Sequence, residues 1–330
     1  MQGACKVAVT GALGQIAYSL IFRIASGQLL GSNQKIILSL LDVAGANKSA
    51  EGLIMELHDC AFPLLESVSY SSDPYEGFKG ADIAILIGAK PRGPGMERVE
   101  LLKTNGKIFI DQGKALGEVA SKEVKVLVVG NPCNTNALIC MHHAKGINKN
   151  QFSCMTMLDQ HRAEHQIALK AGVDITAVTN LAVWGNHSLT QVPDFSHALI
   201  EDKPMASVIL DHAWMETEFL SAVRERGSKV IDARGKSSAA SAANAIVDHI
   251  RAMMVPTEDN RWFSSGVYSE KNPYGVEEGL FFSFPLTSAG NGQWSFVEGL
   301  TITPFLAEQI KASEKELINE REMVKHLLEN

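Results

Sequence analysis

The sequence predicts an α/β fold, with a doubly wound parallel sheet in its first half and an α+β region in its second. Three observations predict it. Short runs rich in valine, isoleucine and leucine alternate with helix-period segments up to residue 155, the pattern of parallel strands covered by helices on both faces. A glycine turn, Gly11-Ala12-Leu13-Gly14, separates the first of these runs from the first helical segment. Beyond residue 155 the alternation stops, and short strand candidates mix with helices. A chain of 330 residues, 45% hydrophobic, is long enough to bury a sizeable core.

Taken in order, 5–10, 35–41, 81–87 and 124–129 read as buried strands, and 15–26, 46–60 and 101–121 as the helices between them. A helix is expected over 159–171, then a strand over 175–184 and helices over 206–226 and 238–254. Strands are expected at 264–269, 280–284 and 293–297, and a charged helix over 304–328 closes the chain. No repeat or low-complexity linker separates the halves, so 1–155 and 156–330 are expected to be two domains packed together.

A net charge of -7 argues against a nucleic-acid partner, which would need a basic face. No apolar run approaches the roughly 18 residues of a membrane span. Cys5, Cys60, Cys133, Cys140 and Cys154 are scattered and form no CxxC pair, so they read as reduced thiols. The N-terminus has no signal-peptide pattern, and the cytoplasm is the expected compartment.

Several motifs carry chemistry. In the glycine turn, Gly11 permits a tight bend and Gly14 lets backbone N–H groups approach a pyrophosphate at a helix N-terminus. Ala17 keeps that helix close to the sheet. Asp42 ends the next strand, where a carboxylate can accept both ribose hydroxyls and would repel a 2′-phosphate. A Rossmann-type site preferring NAD to NADP is therefore expected. Residues 88–98, with Arg92 and Arg98 among glycines and prolines, suit recognition of a small carboxylate by guanidinium groups.

Asn131, in Gly130-Asn131-Pro132-Cys133-Asn134, follows a strand and could bond both cofactor and substrate. Alternatively, Asn131, Pro132 and Asn134 form a turn and cap a helix. Asp159 and Arg162 share a helix face, although an aspartate there is commonly an N-cap. His187 follows a strand and becomes a competent acid/base if a carboxylate fixes its tautomer. A rival pattern, His161-Arg162-Ala163-Glu164-His165, matches H-x-x-E-H zinc peptidases but has no third ligand, so no metal is expected. The adjacent His142 and His143 would diverge on a helix and are read as no site.

Together these residues resemble the lactate/malate dehydrogenase family, and within it the cytosolic-type malate dehydrogenases. The resemblance runs from the Gly11 turn to the last helix. Its specific blocks are Gly11-Ala12-Leu13-Gly14-Gln15-Ile16-Ala17-Tyr18-Ser19-Leu20, 55–65, Pro91-Arg92-Gly93-Pro94-Gly95-Met96-Glu97-Arg98, Gly130-Asn131-Pro132-Cys133-Asn134-Thr135-Asn136, Leu158-Asp159-Gln160-His161-Arg162-Ala163, Trp184-Gly185-Asn186-His187-Ser188 and 296–300. The resemblance implies that His187 is the proton donor and acceptor, that Asp159 orients it, and that Arg162 pairs with the carboxylate beside the reacting carbon. It implies that Arg92 reads the distal carboxylate, with Arg98 and Asn131 as further substrate contacts. Gly11, Ala12, Leu13, Gly14, Gln15, Ile16, Ala17, Asp42, Asn105, Gln112, Val129, Gly130 and Asn131 are then the NAD contacts, and Ser241 lines the site.

By the same resemblance, 1–155 is an NAD-binding Rossmann domain and 156–330 an α+β catalytic domain that binds a dicarboxylate. The implied reaction is reversible hydride transfer between (S)-malate and NAD, giving oxaloacetate, as in the tricarboxylic acid cycle, by a homodimer with 52–65 near its interface. His161 departs from the asparagine the family commonly has there, and Gln160 is also variable ground. The cysteine-bearing terminal extensions of chloroplast NADP enzymes are absent from the sequence, so light-dependent disulfide control is not expected. The rivals are a lactate dehydrogenase, the zinc peptidase and a non-catalytic dinucleotide sensor.

Overall fold

The computed structural model describes residues 3–90 and 98–328. Its first half contains β1 (Cys5–Thr10), α1 (Gln15–Ala25), β2 (Ile36–Leu41), α2 (Asn47–Asp59), β3 (Leu65–Ser71), α3 (Pro74–Gly77), β4 (Ile83–Leu86), α4 (Arg98–Val119), β5 (Lys125–Val128), α5 (Cys133–His143) and β6 (Phe152–Cys154). After it come α6 (Met157–Ala171), β7 (Val178–Thr179), β8 (Ala182–Trp184), β9 (Val192–Asp194), β10 (Leu199–Ile200) and β11 (Lys203–Pro204). Four short helices follow, α7 (Met205–Val208), α8 (His212–Glu216), α9 (Glu218–Arg224) and α10 (Arg226–Arg234), then α11 (Ala240–Met254). The chain ends with β12 (Phe263–Tyr268), β13 (Phe281–Gly290), β14 (Gln293–Phe296) and α12 (Pro304–Leu328).

Among the described residues the main sheet has nine strands in the order β14-β13-β12-β6-β5-β4-β1-β2-β3. The six from β3 to β6 are parallel, and β12, β13 and β14 continue the sheet antiparallel. The predicted α/β class and doubly wound parallel sheet are therefore found. Strand order reverses between β1 and β4, which opens a crevice at their carboxyl ends, the position where such sheets bind ligands.

Burial explains the layers. Along β1, Cys5, Val7 and Val9 join one core with α1 and α11, while Ala8 joins another with residues of α4 and α5, as side-chain alternation in a strand covered on both faces requires. Helix α1 turns Ala17, Leu20, Ile21, Ile24 and Ala25 onto the sheet.

The short elements α3, β6, β9, β10, β11 and α10 were not expected, and four other segments also depart from expectation. Strand β3, unpredicted, is a half-exposed edge strand with three serines and a glutamate, so it lacks the apolar run of its neighbours. Helix α5, expected only as the alternative in which 131–134 cap a helix and with no bounds given, is buried continuously from Cys133 to Cys140 and shows no apolar stripe against a polar one. The helix expected over 206–226 is broken after Val208 and restarts where Asp211 accepts a hydrogen bond from Trp214 N at 3.1 Å. The strand expected over 175–184 begins as a 3-10 turn and is split at Asn180, whose φ of 56° separates β7 from β8.

Candidate active site

The cofactor candidates line the carboxyl rim of the parallel strands. Gly11 has a φ of 65°, and a Cβ on it would lie 2.7 Å from Gly88 Cα, so the turn after β1 and the chain leaving β4 can touch only as glycines. Gly14 is the N-cap of α1 and offers no side-chain cap, leaving the backbone N–H groups of the first turn, at Gln15, Ile16 and Ala17, facing the crevice mouth as an anion cradle. Ala12 N–H binds Leu41 O at 3.1 Å, which ties this turn to β2. Asp42 stands at the end of β2, its two oxygens accepting from Leu13 N and Val43 N, each at 2.8 Å. The bare glycine cradle, the uncapped helix and a carboxylate beside them fit a dinucleotide.

On the next strands, Val129 N and Gly130 N both bond Leu86 O, and a Cβ on Gly130 would meet Ala89 Cβ at 2.8 Å. Asn131 is exposed at the end of β5. Asn105 is fully buried on α4: its Oδ1 accepts from Lys90 N at 2.8 Å, and its Nδ2 donates to Lys90 O at 3.2 Å and Asn131 O at 3.0 Å. Gln112, two helical turns further along α4, keeps a buried Oε1 that lacks a hydrogen-bond partner among the described residues.

The acid/base candidates meet. His187 Nδ1 donates to Asp159 Oδ2, which fixes the tautomer and leaves Nε2 free to face a substrate. The other oxygen of Asp159 accepts from Arg162 at 3.4 Å, and the far side of that guanidinium donates to Ser238 Oγ at 3.4 Å. Asp159 is fully buried in the first turn of α6 but does not cap it; the N-cap is Thr156. Burial alone would lower the pKa of His187, but the charge and hydrogen bond of Asp159 outweigh it and raise the imidazole to about 9. Cys133 adds to that rise and Arg162 opposes it.

His187 is delivered by an unusual backbone. Gly185 closes β8 with a φ of 94°, and a Cβ there would lie 2.1 Å from Ser313 Oγ of α12, so no other residue fits. Trp184, fully buried just before it, donates to Asp194 Oδ2 at 3.1 Å and stacks edge-on against Tyr274.

Comparison with known proteins identifies the lineage. The model of the lactate/malate dehydrogenase NAD-binding domain matches residues 5–153, and that of the family's α/β C-terminal domain matches residues 156–328. The chain belongs to the lactate/malate dehydrogenase family. It is 51% identical over 328 residues to a malate dehydrogenase of Protochlamydia amoebophila, covering 99% of each chain. It is equally 51% identical, over 322 residues, to a chloroplastic NADP malate dehydrogenase of Sorghum bicolor, covering 98% of this chain and 75% of that one. The crystal structure of a malate dehydrogenase from Naegleria fowleri superposes with a TM-score of 0.95 at 44% identity over 99% of both chains.

Within this member of the lactate/malate dehydrogenase family, several sequence candidates lie apart from the His187 cluster or beyond description. Arg92 lies outside the described residues. Arg98 opens α4, but its side chain lies outside them too. Ser241 is exposed in the first turn of α11, and it is Ser238, just before that helix, that reaches Arg162. No motif in the sequence marked Ser238 as a partner of Arg162. Pro132, not Asn131 or Asn134, is the N-cap of α5; Asn134 Oδ1 instead accepts from His187 N at 3.0 Å.

The zinc-like motif is otherwise engaged. His161 Nε2 lies 3.5 Å from Asp248, and Glu164, pushed up to about 7 by burial, accepts from Gln160 Nε2 at 2.8 Å. Among the described residues no group of three His, Cys, Asp or Glu side chains is placed to hold a metal ion. His143 Nε2 instead binds Leu327 O at 2.7 Å. No described helix is long and apolar enough to cross a membrane.

Proposed function

We propose that the protein is an NAD-dependent malate dehydrogenase, catalysing reversible oxidation of (S)-malate to oxaloacetate. The observation that carries the proposal is the buried Asp159 carboxylate, one oxygen on His187 Nδ1 and the other facing Arg162. This arrangement sets a proton carrier beside a carboxylate-binding cation. NAD, when bound, supplies the hydride acceptor at the nicotinamide ring.

In malate oxidation, His187 takes the C2 hydroxyl proton at Nε2, and Asp159 stabilises the imidazolium that results. In oxaloacetate reduction, protonated His187 returns that proton to the forming alkoxide. Arg162 holds the carboxylate next to the reacting carbon with parallel hydrogen bonds, aligning C2 for transfer. Arg92, supported by Arg98 and Asn131, reads the second carboxylate and favours a dicarboxylate over lactate. Against a methyl group Arg92 would be a buried unpaired charge, costing about 3 kcal/mol or more. Asp42 favours the ribose diol of NAD, since its carboxylate repels a 2′-phosphate.

The test is the oxidation of NADH and of NADPH, each with oxaloacetate and with pyruvate. Rapid turnover is expected only for NADH with oxaloacetate. Equal rates with pyruvate would overturn the substrate assignment, equal rates with NADPH the role of Asp42, and binding of NADH without turnover the enzyme itself.

A further inference from the structure

The segment that carries His187 is buried, so each of its backbone N–H groups needs a partner. Gly185 N–H binds Ser283 O of β13 at 3.2 Å. The next two amides go to side chains of two different helices. Asn186 N–H donates to Ser313 Oγ of α12 at 2.8 Å, and His187 N–H donates to Asn134 Oδ1 of α5 at 3.0 Å. On the α12 side the Asn186 side chain donates from Nδ2 to Glu316 Oε2 and Glu320 Oε1, each at 2.9 Å.

Asn134 is the residue that closes this frame. It is buried, and its Nδ2 donates to Phe281 O at 3.0 Å and Gly185 O at 3.4 Å. One amide thus grips the chain on both sides of Asn186 and anchors it to β13. The groups around the imidazole are Asp159 and Arg162 from α6 and Cys133 from α5, while Glu316 and Glu320 of α12 hold the neighbouring Asn186. Cys133 Sγ also lies 3.5 Å from Asn134 Oδ1.

We propose that Asn134 is a positioning residue for His187: by accepting the His187 N–H and donating to Gly185 O, it fixes where the imidazole meets Asp159 and the substrate. This deepens the proposed function and rests on His187 being its acid/base. A core amide that merely joined α5 to β13 would need only the bond to Phe281. The oxygen given to the histidine backbone, and the second proton given to Gly185, go beyond that task.

The test compares Asn134→Leu, which keeps the branched shape and loses every hydrogen bond, with Asn134→Asp in the full chain. A buried aspartic acid facing two carbonyls retains its proton and so can both accept and donate. Asn134→Leu is expected to lower kcat for oxaloacetate reduction about a hundredfold, the cost of displacing a catalytic group by about 1 Å. NADH affinity should be unchanged, and the titration of the His187 ring, followed by 15N NMR, should move to lower pH as its contact with Asp159 loosens. Asn134→Asp is expected to restore at least about tenfold of the lost rate.

Unchanged kcat and ring titration in Asn134→Leu, even with a lower Tm, would reduce Asn134 to packing and overturn the proposal. If that variant does not fold, the unaltered protein decides. The His187 amide must exchange with solvent as slowly as the core amides of β13, and rapid exchange overturns the proposal. His187→Asn is the reference: full turnover by that variant would refute the acid/base reading itself, whereas an inactive His187→Asn beside fully active Asn134 variants refutes only the positioning.

Discussion

A partly buried imidazole held by a buried carboxylate makes the rate of the proposed reaction depend on pH in a direction that can be worked out. Asp159 raises His187 from the ordinary 6.5 to about 9 against the opposing effect of burial. Below about 9 the ring is protonated, the form that the proposed reaction needs for reducing oxaloacetate; above it the ring is neutral, the form that the proposal needs for oxidising malate. In Asp159→Asn, burial and Arg162 act without the balancing carboxylate, so the imidazole should titrate below 6.5. The pH profile of kcat/KM for oxaloacetate reduction should then lose its activity at much lower pH, with kcat reduced about a hundredfold or more. A profile with an unmoved midpoint would show that Asp159 does not set the charge of His187. At this scale the family resemblance singled out His187, Asp159 and Arg162, while spacing alone linked only Asp159 and Arg162, three apart on one helix face. The sequence did not reveal Asn134 or Ser238 in their observed contacts, since the reach of a short polar side chain depends on which helix the fold lays beside it.

Helix α11 carries a second histidine whose pKa is shifted the opposite way, because no carboxylate offsets its burial. His249 is fully buried, its Nε2 near Ser153 Oγ at 3.2 Å and Ser265 Oγ at 3.3 Å, and burial lowers its pKa from 6.5 to about 3. Above 6.5 the folded and unfolded chains both hold it neutral, and its contribution to stability is fully present. As pH falls from 6.5 toward 3 the unfolded chain takes up a proton that the folded one refuses, and stability is lost by up to about 1.4 kcal/mol per pH unit. His249→Gln should therefore flatten the fall of denaturant stability between pH 6 and 4, measured by urea unfolding. An equal slope in the variant would place the acid sensitivity elsewhere. Whether elements could be seen in the sequence followed their burial: β1, β2, β4 and β5 stood out as apolar runs in a sheet covered on both sides. Helix α5, surrounded on all sides, and β3, half-exposed at the edge, lacked the periodic contrast that reveals an element.

For the whole molecule, the sequence predicted strands at β12, β13 and β14 but not that they extend the first half's sheet through β6. Sheet membership depends on long-range pairing, and only Gly266 of β12 is in register with β6, opposite Cys154. That contact is made by close packing rather than by a motif: a Cβ at Gly266 would lie 2.1 Å from Cys154 Sγ. The outer surface supports a last prediction. Tyr18 on α1 is 47% exposed and Met55 on α2 is 62% exposed. Tyr18 OH donates to Glu56 Oε1 at 2.6 Å, which ties the exposed side of α1 to α2, the helix that carries Met55. Neighbouring exposed apolar groups rimmed by charge mark a surface that another molecule covers, and a second copy of the chain in an isologous pair is the simplest occupant. Sedimentation equilibrium at micromolar concentration should give twice the mass of one chain. Met55→Lys, which adds a charge that pairing would have to bury, should shift that equilibrium toward the monomer while Tm and NADH binding by the monomer persist. A wild-type chain that sediments as a monomer, or a Met55→Lys variant that pairs as tightly as the original, would remove this face from the interface.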